Sequence, residues 1–252
     1  MSCILATINL ADHGTIYADS AVASLPAALL QGLHVAQVWR SIAAPTWLRA
    51  DLGASQSFDV IALVGFNALM TSEIRVRIGD DPDFSSAAYD SGTLTGACDP
   101  VYKQFVHVLA APVSGRYLRI DMADGALDYF EAGRLFVGLG FRPKINFSYG
   151  AGRSVVSLSQ RSQSHGGQLY TDRRGKQRRW SFTLSSLSPA EAEFIERFDV
   201  VNALDADVLF CAFVTSSNLS RDTLFGYLDT SSEIADRAFQ LSSKPFVIME
   251  RR

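Results

Sequence analysis

The side chains able to do chemistry are few and scattered along this chain of 252 residues. His13, His34, His107 and His165 show no metal-binding spacing, such as two imidazoles on one helix face. His107 lies among Phe105, Val106 and Val108 and reads as a strand residue, not as a base. Ser164-His165-Gly166-Gly167 has the outline of an oxyanion loop. The chain lacks the Gly-x-Ser-x-Gly elbow and the alternating strands and helices that would carry such a loop, so a polar loop is expected there. Gly150-Ala151-Gly152-Arg153-Ser154 misses the Gly-Lys-Ser/Thr ending of a phosphate loop, and no helix is indicated after it. Asp80-Asp81-Pro82-Asp83 offers hard oxygen ligands without the spacing of a calcium loop, and reads as an acidic surface turn. No catalytic constellation, cofactor site or metal site emerges. The chain is not expected to be an enzyme.

The one dense group of charges is Arg173, Arg174, Lys176, Arg178 and Arg179. Three readings stay open for it: a solvated hairpin tip, a contact between subunits, or a contact with passing DNA or a glycan phosphate. Arginine forks pair well with carboxylates, which suits the second reading. Only Tyr170 and Trp180 lie near the cluster, too few aromatic rings for a single-strand platform, so no specific nucleic-acid recognition is expected.

The elements that must position these residues are mostly strands. Ile74, Val76 and Ile78 alternate with Glu73, Arg75 and Arg77, and Leu118 and Ile120 alternate with Tyr117 and Arg119. This period of two predicts strands with one wet face. Trp180, Phe182 and Leu184 alternate with Ser181, Thr183 and Ser185 in the same way. Val60 to Phe66 and Val208 to Val214 are apolar on both faces, as in the inner strands of a sandwich. Turns such as Gly79-Asp80-Asp81-Pro82 and Asp90-Ser91-Gly92 separate them, giving an all-β fold.

One helix interrupts the strands, predicted from Pro189 to about Asn202. Ser188 caps it, Pro189 takes its first position, and Glu191 completes the capping box. Phe194, Ile195, Phe198 and Val201 are expected on one buried stripe. A second, weaker helical segment is expected around Pro26 to Gly32.

Hydrophobic residues make up 48% and charged residues 19%, enough apolar material for a core. The net charge of −3 excludes a surface built throughout for nucleic acid. Three widely spaced cysteines, Cys3, Cys98 and Cys211, fit neither a disulfide framework nor a zinc motif, and suit a reducing compartment. No signal peptide is expected at the start, and Ala21 to Val38 is too interrupted by polar residues to span a bilayer. Between Arg142 and Ser181 nine basic residues face the single acid Asp172, so the remainder of the chain is strongly acidic. That asymmetry places a domain boundary at Phe141-Arg142-Pro143, dividing the chain into 1–141 and 142–252.

Three segments of the first part occur in a recognisable order: Trp47-Leu48-Arg49-Ala50-Asp51-Leu52-Gly53, Ile61-Ala62-Leu63-Val64-Gly65-Phe66-Asn67, and Arg116-Tyr117-Leu118-Arg119-Ile120. In this order they resemble the galactose-binding-like jelly roll of discoidin domains and many carbohydrate-binding modules. Physically, Leu48 and Leu52 face the core while Asp51 caps the turn at Gly53, and Gly65 permits a close backbone approach. The resemblance implies ligands on loops at one end of the sandwich, with no residue carried over.

The second part runs from Arg178-Arg179-Trp180-Ser181-Phe182-Thr183-Leu184 through Ser188-Pro189-Ala190-Glu191-Ala192 to a closing Phe246-Val247-Ile248-Met249-Glu250. This pattern is similar to the tail-tip and distal-tail ring proteins of long-tailed bacteriophages, which are tail-tube-like β-sandwiches with one helix. It departs from them in a long polar loop, Gln160 to Gln177. The resemblance implies a structural virion protein, assembled in the host cytoplasm, that forms a ring of six copies. Its partners would be itself, tail-tube and baseplate proteins, and a host surface glycan, with no membrane insertion. The rival reading is a carbohydrate-binding module whose aromatic platform is Trp39, Trp47 or Tyr129, all three of which equally suit a core.

Overall fold

Two long antiparallel strands, Thr46–Val64 and Gln104–Ala123, organise the first half of the molecule. The computed structural model describes residues 3–202, 204 and 206–251. Register shifts between Asp51 and Gln56 and between Phe58 and Val60 bend the first strand, and residues 53–57 at the bend are exposed. Each long strand therefore serves two layers. Its Thr46–Leu52 part pairs with Thr15–Ala18, and its Val60–Val64 part pairs with Arg134–Gly138. On the other side of Gln104–Ala123 lie Glu73–Gly79 and then Tyr89–Asp90.

The alternation in sequence becomes two faces. Leu48, Ala50, Ile74, Val76, Ile78, Leu118 and Ile120 enter one core with Trp39, Phe58, Phe66, Phe105 and Phe130. Val60 to Val64 are buried on both faces, as expected for an inner strand. Gly65, at φ +67°, ends that strand where a Cβ would lie 2.9 Å from Val35. The left-handed φ, with the Val35 side chain this near, disfavours any residue that carries a Cβ. Asp51 accepts a hydrogen bond from Gly53 N–H at 2.9 Å, the turn contact expected of it. Among the described residues the structure is all-β apart from short helical turns and one longer helix, and this first half is built on one seven-stranded sheet. The segment expected near Pro26 to Gly32 is a 3-10 helix, Ala27–Gln31.

The chain falls into two units, 1–142 with 207–223, and 143–206 with 224–252. This differs from a single cut near Phe141, because residues 207–223 return to the first unit. Val208–Cys211 pairs with Ile4–Ala6 near the other end of the chain. The strand stops at Cys211 and does not run to Val214. Asp207 meets Arg134 at 2.9 Å, and Arg134 is almost completely buried. Gln104 Nε2 donates to the carbonyls of Ser220 and Thr223, and Ser220 Oγ donates back to Gln104 O at 2.7 Å. Buried polar groups tied this way hold the returning segment in place. Cys3, Cys98 and Cys211 are buried, and burial pushes the Cys98 thiol up to about 12.

In the second unit, Lys176–Leu187 and Leu241–Glu250 form the centre of a sheet. Gly152–Ser157 flanks the first of them; Gly226 to Leu228 and the short Ala235–Ala238 strand flank the second. Trp180, Phe182 and Leu184 are buried as the alternation requires. Phe182 stacks on Phe246 with ring centres 5.3 Å apart. The helix spans Pro189–Asn202, and Glu191 accepts from both Ser188 N–H and Ser188 Oγ at its start. Ile195 and Phe198 pack inward, Phe198 edge-on to Phe246 at 6.2 Å. Phe194, expected on the same stripe, is 44% exposed, because the buried arc of this helix is narrower than its apolar sequence suggests. The side chain of Val201 lies outside the described residues. Lys244, buried beneath the helix, pairs with Asp199. Among the described residues no helix is long and apolar enough to cross a membrane.

Candidate functional site

The starts of Thr46–Val64 and Glu73–Gly79 and the ends of Thr15–Ala18 and Gln104–Ala123 meet at one end of the first unit's sheet. Strand register there sets Trp47 opposite Asp121 and Asp121 opposite Arg75, a row across three strands on the wet face. Asp19, Thr93 and Glu73 complete a depression of about 320 Å³ above this row. A second depression of about 320 Å³ adjoins it, sharing Pro45, Glu73 and Ala123 and adding Thr71, Asp124 and Gly125. Together they form a shallow, extended groove.

Most charges of this face neutralise one another. Arg75 Nε donates to Asp90 at 2.9 Å, and the guanidinium holds the Asp90 carboxyl down at about 2. Asp121 accepts from Arg77 and Arg119, each at 2.8 Å. Arg119 also lies over the Trp47 ring, 4.6 Å from its centre, and Arg49 over the Tyr17 ring at 5.1 Å. Such cation–π and ion-pair contacts fix the tryptophan in one pose. Ser72 and Thr71 donate to Asp124, which holds its carboxyl below the usual range. Among the described residues, the carboxylates of Asp19 and Glu73 have no ion pair or side-chain hydrogen bond. The groove therefore presents the Trp47 side chain and two carboxylates without an ion pair among the described residues.

The predicted aromatic platform is only partly assembled. Trp47 lines the groove. Trp39 is fully buried in the core, its Nε1 donating to Ser20 O at 3.2 Å, so it is no platform. Tyr129 lies away from the groove, beneath Arg40 at 4.3 Å. Sequence reasoning missed Asp19, Glu73, Arg75 and Asp121. The alternation marked Glu73 and Arg75 as outward, but only the register shows what they face.

The basic cluster also divides. Arg178 continues the inward row of Trp180 and Phe182, and Glu250 beside it accepts from its Nε at 2.7 Å and from its N–H at 3.0 Å. Arg179 faces the other side and approaches Asp229 at 3.6 Å. Arg173, Arg174 and Lys176 are exposed. They stand at the base of a hairpin, Gln160–Gln163 paired with Leu169–Asp172, where the sequence suggested only a long polar loop. Ser164-His165-Gly166-Gly167 forms its turn, closed by Gly167 N–H donating to Ser164 O at 2.9 Å. Gly150 to Ser154 runs into the Gly152–Ser157 strand, not into a helix. Asp81 accepts from Asp83 N–H at 3.1 Å and from Ser85, which commits it to its own turn. His107 hydrogen-bonds Tyr89 Oη at 2.8 Å, and burial lowers its pKa. Among the described residues no group of three or more His, Cys, Asp and Glu could hold a metal ion.

No family model and no curated protein matches the chain. Solved structures similar to it include chitosan-binding module 1 of a chitosanase/glucanase from Paenibacillus sp. IK-5, at 20% identity and TM-score 0.41, over 52% of this chain and 98% of that one. Another is the family 32 carbohydrate-binding module of C. perfringens NanJ in complex with galactose, at 16% identity and TM-score 0.42, over 53% and 98%. A third is the lectin domain of lectinolysin complexed with Lewis B antigen, at 12% identity and TM-score 0.43, over 53% and 97%.

Proposed function

We propose that the first unit is a glycan-binding module acting by recognition and not by catalysis. The observation that carries this is the groove built on the Trp47–Asp121–Arg75 row, with Asp19 and Glu73 unpartnered at its rim. A fixed indole offers an apolar surface to the C–H face of a sugar ring, and carboxylates accept from its hydroxyls. The unpartnered charges are negative, so neutral or amino-bearing saccharides fit and acidic ones are repelled. The adjoining depression gives room for a second ring. The test is a glycan array followed by titration of the full chain, with binding by neutral or amino sugars expected. Trp47→Ala removes the aromatic contact and weakens binding by roughly 30-fold, the size of a hot-spot loss of about 2 kcal/mol. No saccharide-dependent change in melting temperature with any sugar class would sink the reading.

A second reading, a ring-forming structural component of a phage tail tip, draws on the second unit. The feature favouring it is the hairpin Gln160–Asp172, exposed at every strand position, as an arm reaching to a neighbour would be. In that reading the protein is assembled in the host cytoplasm and carried in the virion. Electron microscopy of tails labelled through an engineered tag on this chain tests it, since absence of label from the tip would exclude it.

A further inference from the structure

The second unit carries two unpartnered surfaces of opposite character. The first is the hairpin arm. Leu169 and Tyr170 are 59% and 54% exposed on it, with Val155 and Leu158 exposed at its root. Arg161, Arg173 and Lys176 have no ion pair among the described residues. A two-stranded hairpin without a core is marginal in water, and its open edges and exposed apolar side chains are what a partner surface covers.

The second is a groove of about 870 Å³ between the Pro189–Asn202 helix and the hairpin of Ala235–Ala238 with Leu241–Glu250. Glu193, Glu196, Glu233 and Asp236 line it, and Phe239, 90% exposed, stands beside Leu241 at its rim. Glu193 pairs with Arg197 and Asp236 accepts from Ser242, whereas Glu196 and Glu233 have no ion pair among the described residues. Among the described residues no basic side chain lines the groove. Basic and apolar on the arm therefore meet acidic and apolar in the groove.

The arm does not fill its own groove. It leaves the sheet at Ser157 and Lys176, which pair with each other, whereas Leu187 at the far end of the same strand pairs with Ser242 in the groove wall. Eleven residues of strand separate the two ends, roughly 35 Å at about 3.3 Å per residue. One leg of the arm, Leu158 to Gly166, spans about 26 Å at the same rise. The arm is also exposed at every strand position, and its two strands pair only with each other among the described residues.

We infer that the arm docks into the acidic groove of a second copy of this chain. Each copy then offers one arm and one groove at opposite ends of a sheet. Reciprocal use closes a dimer, and successive use builds a ring or filament. The contact combines apolar burial around Leu169, Tyr170 and Phe239 with pairing of Arg161 and Arg173 to Glu196 and Glu233. It goes beyond the sugar-binding reading and does not depend on it.

The experiment is light scattering on the full chain across a concentration series, at low and high salt. Assemblies larger than one chain are expected, weakening as salt screens the pairs. Arg161→Glu with Arg173→Glu, or Glu196→Lys with Glu233→Lys, each weakens self-association tenfold or more. All four changes in one chain restore it, because the charges are again complementary. Unchanged melting temperatures of the variants, measured dilute enough to hold single chains, establish that folding is intact. A wild-type protein that stays at single-chain mass at every concentration overturns the inference, as do reversals that leave assembly unaltered or a fourfold variant that fails to recover.

Discussion

The outer face of the first unit and the arm of the second are both rich in arginine, yet the residue does different work in each. On the sheet face, Arg75, Arg77, Arg116 and Arg119 all have carboxylate partners, and Arg119 also lies on an aromatic ring. On the arm, Arg161 and Arg173 have no ion pair among the described residues, and Arg174 pairs with the exposed Asp172. Paired arginines hold a surface in one shape, whereas unpaired ones remain available to something outside the molecule. Identical side chains thus mark a preorganised site in one unit and an interaction surface in the other.

The strongest way to break the comparison lies where an arginine is most deeply committed. Arg134 is 1% exposed and bridges Asp12 at 2.7 Å and Asp207 at 2.9 Å. Replacing it by Met breaks the buried pair with Asp207, which costs about 3–5 kcal/mol. Denaturant unfolding of Arg134→Met should show a loss of that size. A loss below about 1 kcal/mol would mean that strand pairing and the Gln104 hydrogen bonds hold residues 207–223 without help from the ion pair.

Arg178 and Arg173 sharpen the contrast within one stretch of sequence. Arg178→Ala removes the guanidinium that pairs with Glu250, whose side chain is 8% exposed, and losing a part-buried charge-assisted hydrogen bond of this kind costs about 1–3 kcal/mol. Arg173→Ala should change the same unfolding curve far less. Equal effects would erase the distinction between sheet and arm. The sequence contained the clue, because Arg178 shares the parity of Trp180 and Phe182 and so must point inward with them.

Other features were legible for the same reason, and their limits are physical. The alternation of Glu73 to Ile78 and of Tyr117 to Ile120 could be read because one face of each strand is wet. The capping box at Ser188 and Glu191 is local and likewise visible. The return of Val208–Cys211 to Ile4–Ala6 was not, since a pairing between chain segments so far apart leaves no local pattern. The groove at Trp47 was missed in the same way. Its residues come from several segments, and only strand register sets Asp121 between Trp47 and Arg75. Trp39 and Trp47 are the same residue type, and their burial separates core from rim.

Dependence on pH tests the paired and buried groups of the first unit next. Burial lowers the pKa of His107, so its contribution to stability is fully present above the ordinary value of about 6.5. It is lost as pH falls from there through the folded value, because the unfolded chain takes up the proton first. Asp90, lowered from 3.8 to about 2 by Arg75, contributes above about 3.8, and that contribution disappears as pH falls through about 2. Both groups belong to the first unit. Melting curves from pH 7.5 to 5 should therefore fall for the wild type and flatten for His107→Gln. Arg75→Ala should flatten the acid limb below pH 4 and leave the upper limb unchanged. A His107→Gln curve with the wild-type slope would assign the upper limb to another group.

The smallest effect is expected at the arm. Arg161→Ser, Arg173→Ser and Lys176→Ser each remove a charge whose head has no ion-pair partner among the described residues, so stability should move by no more than about 0.5 kcal/mol. The measurement is thermal unfolding at a concentration low enough to hold the protein as single chains. Assembly contributes to apparent stability by mass action, and a concentrated sample would add the docking contact to the fold. If the three variants are neutral when dilute and destabilised only when concentrated, the cations act between molecules and not within one. If they lower stability equally at both concentrations, the arm is part of the fold and its charges belong with those of the sheet.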